Sequence, residues 1–566
     1  MKTKLIYLTM ALAVVLGFSS CDLNYFPSDE LNSDVLMNNP AGAQYIIDGC
    51  YAMLKEEYEY IEYSSSNTYV RHYMQMAEFP ADNTCLSGRT TDPLYQATCY
   101  QMTDNLKNVG LFWWVGYKVI FTVNTVIENF EEGKSTEGDQ LLGEAYFLRA
   151  MCHFHMATIF AKPYILGRDN KGIVLRTSTN TSETRRATVG EVYDQVVADL
   201  WKAASLMKNS RDNAGYASKD AALGLLSRVY LYEEKNDSVL YAINQMSTPY
   251  LDPDYENYFA KAVTSKETLF CVAHTSLEDR GQASIGSMFN GDGGGWGEVY
   301  CSDPLLDLYN RYPDDKRLSY IKPQYLESDP TDKVYFAAPD SIGSSIEIEG
   351  VLKVVGSENY CGIIERIDTI KSGGAAKYDT VYSATLPIVT ELINGEYPQG
   401  FVTYNGAKYP VRIAKTMIKR NSFPNYWVTK FGYQDGKPQL SSPVFLRWAE
   451  VILNRAEANA KLGNTADALA DVDIIRKRAG IPAAGMFSDN MHGYTDVLDI
   501  VLDERRMELA FEGHRMFDVY RNRRNMNRKF GGVHPWEEVD YRDNKIQYPI
   551  PYGEWSVSHI EQNPGY

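Results

Sequence analysis

The sequence predicts a mainly α-helical chain: a tetratricopeptide-like helical-repeat scaffold carrying a large, irregular, loop-rich lobe. Three observations lead there. Apolar residues recur at i, i+3, i+4 spacing in two blocks, one before residue 235 and one after residue 443. Neighbouring helices in these blocks pair across short turns, at the roughly 34–40-residue period of helical-repeat units. Between the blocks, from about 250 to 440, Pro, Gly and Asp interrupt short β-rich runs.

The first block holds periodic stretches at 40–60, 111–132, 137–162, 189–208 and 217–234. In the third, Leu141, Ala145, Leu148, Cys152, His155, Met156 and Ile159 fall on one face. Ser218 precedes Lys219 and Asp220 as an N-cap. The central region offers runs such as 351–355, 385–389 and 401–404. The second block holds 443–462, 465–479, 494–512 and 515–523, with Leu462-Gly463-Asn464 as a turn. The central region splits the repeats, so a regular solenoid is not expected. We read one domain over 21–566, with helical repeats at about 40–235 and 443–525. Binding work is expected on the loops, held by the helical frame.

Composition narrows the function. The 566 residues are 44% apolar and 23% charged, which excludes bulk disorder. A formal charge of −17 argues against nucleic acid, whose binders need a basic face. The chain has 42 Tyr and 8 Trp, side chains with an apolar face and a polar tip that suit wet recognition surfaces.

The N-terminus reads as an address. Lys2 and Lys4 precede the apolar run 5–18, and Ser19-Ser20-Cys21 follows, as in a secretory signal peptide over 1–20. The run is too short to span a bilayer comfortably. A Cys behind small residues resembles a lipobox, which makes Cys21 the lipidation site. The other seven Cys are irregularly spaced with no C-x-x-C, so buried free thiols are expected; Cys85 with Cys99 is the pair to test.

Catalytic motifs fail on inspection. Gly133-Lys134-Ser135 lacks the Gly five positions earlier that a phosphate loop needs. The Gly-rich stretch from Asn290 to Gly297 has no G-x-G-x-x-G register, and the acidic run from Asp252 lacks the Gly and Glu of a calcium loop. No cofactor or metal is expected. Glu508 and Glu512, four apart in a charged helix, could act as a glycosidase pair. Nearby Arg505, Arg506 and Arg515 instead point to structural ion pairs. In Trp113-Trp114, successive side chains sit about 100° apart on a helix, so at most one enters the core seam.

Trp296 stands apart. Its neighbours are Gly, Asp and Asn, so nothing local buries it. An exposed indole can stack on the apolar face of a sugar ring, with Asn290 and Asp292 bonding hydroxyls. Tyr300, Asn83, Arg89 and Tyr95 are further candidates for the same glycan site, the last three on a polar loop around 82–95.

A resemblance runs nearly end to end. Cys21 with Pro27, Gly49-Cys50-Tyr51-Ala52-Met53-Leu54, Asn124-Thr125-Val126-Ile127 and Ala145-Tyr146-Phe147-Leu148-Arg149-Ala150 carry its first half. Arg447-Trp448-Ala449-Glu450-Val451-Ile452-Leu453-Asn454-Arg455-Ala456-Glu457-Ala458 is its most specific stretch. Ile475-Arg476-Lys477-Arg478-Ala479-Gly480, Glu504-Arg505-Arg506, Tyr548-Pro549-Ile550-Pro551 and Asn563-Pro564-Gly565-Tyr566 complete it. These segments resemble the SusD/RagB family of outer-membrane lipoproteins from Bacteroidetes. Phe160-Ala161-Lys162-Pro163 departs from the family, which usually has Gly after Phe. The resemblance implies a non-enzymatic, lipid-anchored surface protein that captures glycan and delivers it to a SusC-type TonB-dependent transporter. Its charged helix motif is then scaffold, and its sugar-contacting residues lie in variable loops. A peptide-capturing member of the family, or less readily a surface glycoside hydrolase, are the alternative readings.

Overall fold

The computed structural model describes residues 40–566 except 61, 87–89, 91, 210, 373–374, 394–396 and 421–422. The expected signal segment over 1–20, Cys21 and Arg89 lie outside the described residues.

The first helical block contains α1 (Pro40–Met53), α2 (Thr68–Glu78), α3 (Lys107–Asn129), α4 (Thr136–Phe160), α5 (Val189–Leu206), α6 (Lys219–Tyr232) and α7 (Asn236–Ile243). The second contains α8 (Trp448–Leu462), α9 (Thr465–Arg478), α10 (Val497–Glu508) and α11 (Arg515–Arg521). Consecutive helices pack on one another: α3 on α4, α4 on α5, α5 on α6, and α8 on α9. The helix starts follow capping chemistry. Ser218 Oγ accepts from the Ala221 N–H, and Thr188 with Glu191 forms a reciprocal capping box at α5. Gly463 ends α8 in the left-handed region. The expected face of α4 is buried, and so is most of the rest of that helix, because neighbours cover it on several sides.

Trp113 is buried in the core, while Trp114 is half-buried and packs edge-on to Tyr58. The seven described cysteines are free thiols, all buried except the half-buried Cys99, and Cys85 and Cys99 are not bonded to each other.

Several expected elements need correction: 444–447 is a strand leading into α8, and 509–512 lies beyond the end of α10. The stretch 40–60 is not one helix: α1 stops at Met53 and 58–60 forms a short strand. The central lobe is not irregular. It holds a seven-stranded, fully antiparallel sheet: β1 (Asp332–Pro339), β2 (Ser345–Val355), β3 (Glu358–Ser372), β4 (Ala375–Pro387), β5 (Val389–Ile393), β6 (Tyr397–Tyr404) and β7 (Ala407–Lys415), in the order β4-β3-β2-β1-β7-β6-β5. The run 385–389 therefore spans the end of one strand and the start of the next.

The pleat sorts the sheet's side chains. Val334, Phe336 and Ala338 of β1 share one apolar cluster with Val402 and Val411. Tyr335, between them, points the other way into the main core. Arg412 is directly opposite Tyr335 in β7 and lies on that second face, paired to Asp303 and Glu347. The β6–β7 hairpin turns through Asn405-Gly406, both at positive φ (49° and 81°), the conformation a tight two-residue turn requires.

Candidate functional site

Two short strands assemble the site. Thr84–Leu86 pairs antiparallel with Val299–Cys301, Leu86 opposite Val299. This pairing joins the polar loop after α2 to the Gly-rich loop more than two hundred residues later. A cavity of about 410 Å³ opens at the junction. Its apolar wall includes Phe79, Leu86, Met288 and Val299, and its polar groups are Tyr63, Arg71, Thr90, Asp92, Gln282 and Glu298. Trp296 lines it and is 46% exposed.

The indole is fixed at its edge. Nε1 donates to the Gln282 carbonyl at 3.1 Å, and the Trp296 N–H donates to Ser287 Oγ at 3.1 Å. Arg420 donates to the Trp296 carbonyl at 2.7 Å and to Glu298 Oε1 at 2.9 Å. The loop beneath is glycine for steric reasons. A Cβ on Gly291 would fall 2.5 Å from the Trp427 ring, and one on Gly295 would fall 2.1 Å from the Asn290 carbonyl. The glycines are packing devices.

Asp92 is the hub of the opposite wall. Its carboxylate accepts from Arg71 (3.2 Å), Gln75 (2.6 Å), Asn108 (3.2 Å) and the Leu94 N–H (2.9 Å). It is therefore saturated and serves to hold Arg71. Arg71 is the one residue of α2 that is not buried. Burial, with Asp92 adding to it, pushes the Tyr63 hydroxyl above its usual range, so it stays a neutral donor and acceptor.

The expected residues divide. Trp296 lines the cavity. Asn290 is buried, its side-chain oxygen accepting from the Asp292 N–H at 3.0 Å, so it braces the loop. Asp292 is exposed, but it accepts from the Tyr433 hydroxyl and does not line the cavity. Tyr300 is fully buried, because strand pairing turned an expected loop residue inward. Asn83 is also fully buried and accepts from Arg506 at 2.8 Å. Tyr95 is half-buried at the start of the short helix Tyr95–Thr98, beyond the lining residues.

Glu508 and Glu512 are structural, with partners other than those expected. Arg447 donates to Glu508 at 2.6 Å and to Glu512 at 2.8 and 2.9 Å. Arg478 also reaches Glu508, and Lys430 reaches Glu512 at 2.6 Å. Arg506 and Arg515 instead clamp Asp82, and Arg505 pairs with Asp518. Burial pushes the Glu508 carboxyl up, but Arg478, Arg447 and Arg317 outweigh it and hold the group well below the usual carboxylate range. Among the described residues no cluster of His, Cys, Asp and Glu could hold a metal ion.

The comparisons with known proteins agree with this architecture. Residues 28–231 match a family model described as starch-binding and associating with the outer membrane, and residues 266–566 match the SusD family model. SusD-like protein P2 of Formosa agariphila is 22% identical over the full length of both chains, and SusD-like protein P38 of the same organism is 22% identical over 92% of each. A SusD superfamily structure from Bacteroides thetaiotaomicron superposes with a TM-score of 0.68 at 22% identity, covering 93% of this chain and 100% of its own. A putative sugar-binding protein from Bacteroides vulgatus gives 0.64 at 20% identity, covering 93% and 98%. The chain belongs to the SusD family.

Proposed function

We propose that this protein is a cell-surface glycan-binding lipoprotein, anchored in the outer membrane through Cys21. In this reading it captures oligo- or polysaccharide and hands it to a SusC-type TonB-dependent transporter. The observation that carries the reading is the half-exposed indole of Trp296 on a cavity of about 410 Å³, within the range of small-ligand sites. An indole held by its edge keeps a face free to stack on a pyranose ring. Arg71, Tyr63, Gln282 and Glu298 line the same cavity and supply donors and acceptors for hydroxyls. The starch-binding family model and the putative sugar-binding protein of Bacteroides vulgatus support the same ligand class. Turnover is not part of the proposal. Glu508 at the end of α10 and Glu512 just beyond it are buried and bonded to Arg447, out of a substrate's reach.

Stacking plus a few hydrogen bonds in a wet site gives binding on the order of micromolar to millimolar. Multivalent polysaccharide and a membrane partner would offset that weakness. The test is native affinity electrophoresis of the protein lacking residues 1–21 in gels cast with plant, starch and host polysaccharides. Retardation by one class, weakened by Trp296→Ala, is expected. No retardation by any of them would overturn the glycan reading in favour of peptide capture. Cys21→Ala is expected to release the protein from membranes; retention would contradict the anchor.

A further inference from the structure

A second cleft, of about 620 Å³, separates the sheet from the helical body. Arg412 of β7 and Gln399 of β6 line it from the sheet. Asp307, Asn310, Tyr325 and Tyr426 line it from the body. None of these belongs to the cavity at Trp296.

The cleft's polar groups are committed in an uneven way. Arg412 spends Nη1 on Asp303 and Nη2 on Glu347, leaving Nε buried without a partner. Gln399 donates its amide to the Gly400 and Val411 carbonyls at 3.0 and 2.9 Å, leaving its side-chain oxygen open. Asp307 makes no hydrogen bond or salt bridge among the described residues. Burial pushes its carboxyl up to about 6 against the pull of Arg412, so at neutral pH it is a partly desolvated carboxylate in want of donors. Tyr325 is 46% exposed and offers a flat apolar face.

An acceptor-rich cleft with an exposed ring selects its occupant by elimination. An anion would meet Asp307 while the Arg412 fork is already taken. An apolar molecule would strip water from an unpaired carboxylate, which is costly. A pyranose answers both features: vicinal hydroxyls donate to the carboxylate, and the C–H face lies on the tyrosine. We propose that this cleft is a second carbohydrate site, which takes a neutral pyranose unit through Asp307 and Tyr325. It goes beyond the Trp296 reading and does not depend on it.

The test is an NMR titration with methyl α-D-glucopyranoside, methyl β-D-galactopyranoside and methyl α-D-mannopyranoside. It is run on the protein lacking residues 1–21 and on Trp296→Ala, and on that variant with Asp307→Asn or Tyr325→Ala added. Trp296→Ala should still saturate with at least one probe. Asp307→Asn and Tyr325→Ala should each weaken that binding about tenfold, the loss of a charge-assisted hydrogen bond or a stacking face. Asp307 has no hydrogen-bond partner to lose and burial disfavours its charge, so its Asn variant should melt no lower than the parent, and the exposed Tyr325 gives a second, independent variant. Loss of all probe binding in Trp296→Ala overturns the proposal, as does binding indifferent to Asp307→Asn and Tyr325→Ala. Binding that falls with Asp307→Asn but is untouched by Trp296→Ala supports this site while sinking the Trp296 reading, so the two fail separately.

Discussion

Arginine and carboxylate meet in two regions of this molecule with opposite consequences. Around α10, Arg447 is 1% exposed and spends all three guanidinium nitrogens on Glu267, Glu508 and Glu512. Arg317, Arg476, Arg505 and Arg521 extend the same pattern to Glu504, Asp518 and Glu457. At the cavity, Arg71 has a single carboxylate partner and stays half-buried on the wall. A charge taken out of water is tolerable only when its hydrogen-bonding valence is filled, and a filled charge has nothing left for a ligand. Density of charge therefore marks scaffold here. The binding candidates lie where charge is sparse, valence is open and a ring faces solvent.

The sharpest way to break this comparison is Arg447→Met. It leaves Glu267, Glu508 and Glu512 short of their common partner in a water-free interior. Removing one member of a buried ion pair costs about 3–5 kcal/mol, and here three carboxylates lose one cation. Urea unfolding should show that loss as a lower midpoint with an unchanged slope. A midpoint within error of the parent would mean the lattice contributes no stability. The equivalent change at the cavity, Arg71→Met, touches one partly exposed pair and should cost far less.

Acid should separate the regions next. Glu508, Glu512, Glu457 and Asp518 are each pushed up by burial, yet their arginine and lysine partners hold all four below the usual range. A carboxyl with a depressed folded pKa adds stability above its unfolded value, about 3.9–4.3, and that stability is lost as pH falls through the folded value. These four carboxylates should thus make the melting temperature fall steeply below about pH 4. A melting temperature that stayed flat to pH 3 would show that these carboxylates are not held ionised by the fold.

Trp296→Ala comes third and sharpens the other side. Its ring contributes no buried core, so the melting temperature should hardly move, whereas glycan affinity should fall about tenfold, ~1.4 kcal/mol. A stability loss on the scale of Arg447→Met would show the indole to be a packing element after all.

The same contrast explains what was legible in the sequence. Helix spacing, the Ser218 cap and the charged motif of α10 announce themselves locally, because each depends on residues within a turn or two. Trp296 was legible for the converse reason: Gly, Asp and Asn around it offer nothing to bury it. The sheet was readable only as scattered β-rich runs: its half-exposed strands carry charge on alternate positions, which blurred the rest, and the Asn405-Gly406 hairpin turn went unread. Arg71 was out of reach. It sits in α2, where His72, Gln75 and Glu78 are buried along with the apolar residues, so nothing local marks Arg71 as the polar residue left at the surface. Tyr300 and Asn83 were misplaced together. Tyr300 lies in the strand Val299–Cys301 and Asn83 immediately precedes its partner Thr84–Leu86, and one long-range pairing buries both. The partners of Glu508 and Glu512, which are Arg478, Arg447, Lys430 and Arg317, lie tens to nearly two hundred residues away, beyond any helical spacing rule.

The smallest expected effect is the most discriminating for the loop itself. Asp292 was the natural hydrogen-bonding partner for a sugar stacked on Trp296, yet its carboxylate accepts from the Tyr433 hydroxyl, and its backbone carbonyl accepts from Gln439. Only the first of these depends on the side chain. Asp292→Ala removes one exposed hydrogen bond, worth about 0.5–1.5 kcal/mol, and leaves the Gln439 brace, the Asn290 brace and the glycine packing over Trp427 intact. Glycan affinity should therefore stay within about twofold, under ~0.5 kcal/mol, while the melting temperature drops slightly. If affinity instead falls as far as it does in Trp296→Ala, the Tyr433 bond must open on ligand binding and the loop must turn Asp292 toward the sugar. The cavity rim would then be a moving part, and the division between filled scaffold charges and open binding valence would fail at the loop where it matters most.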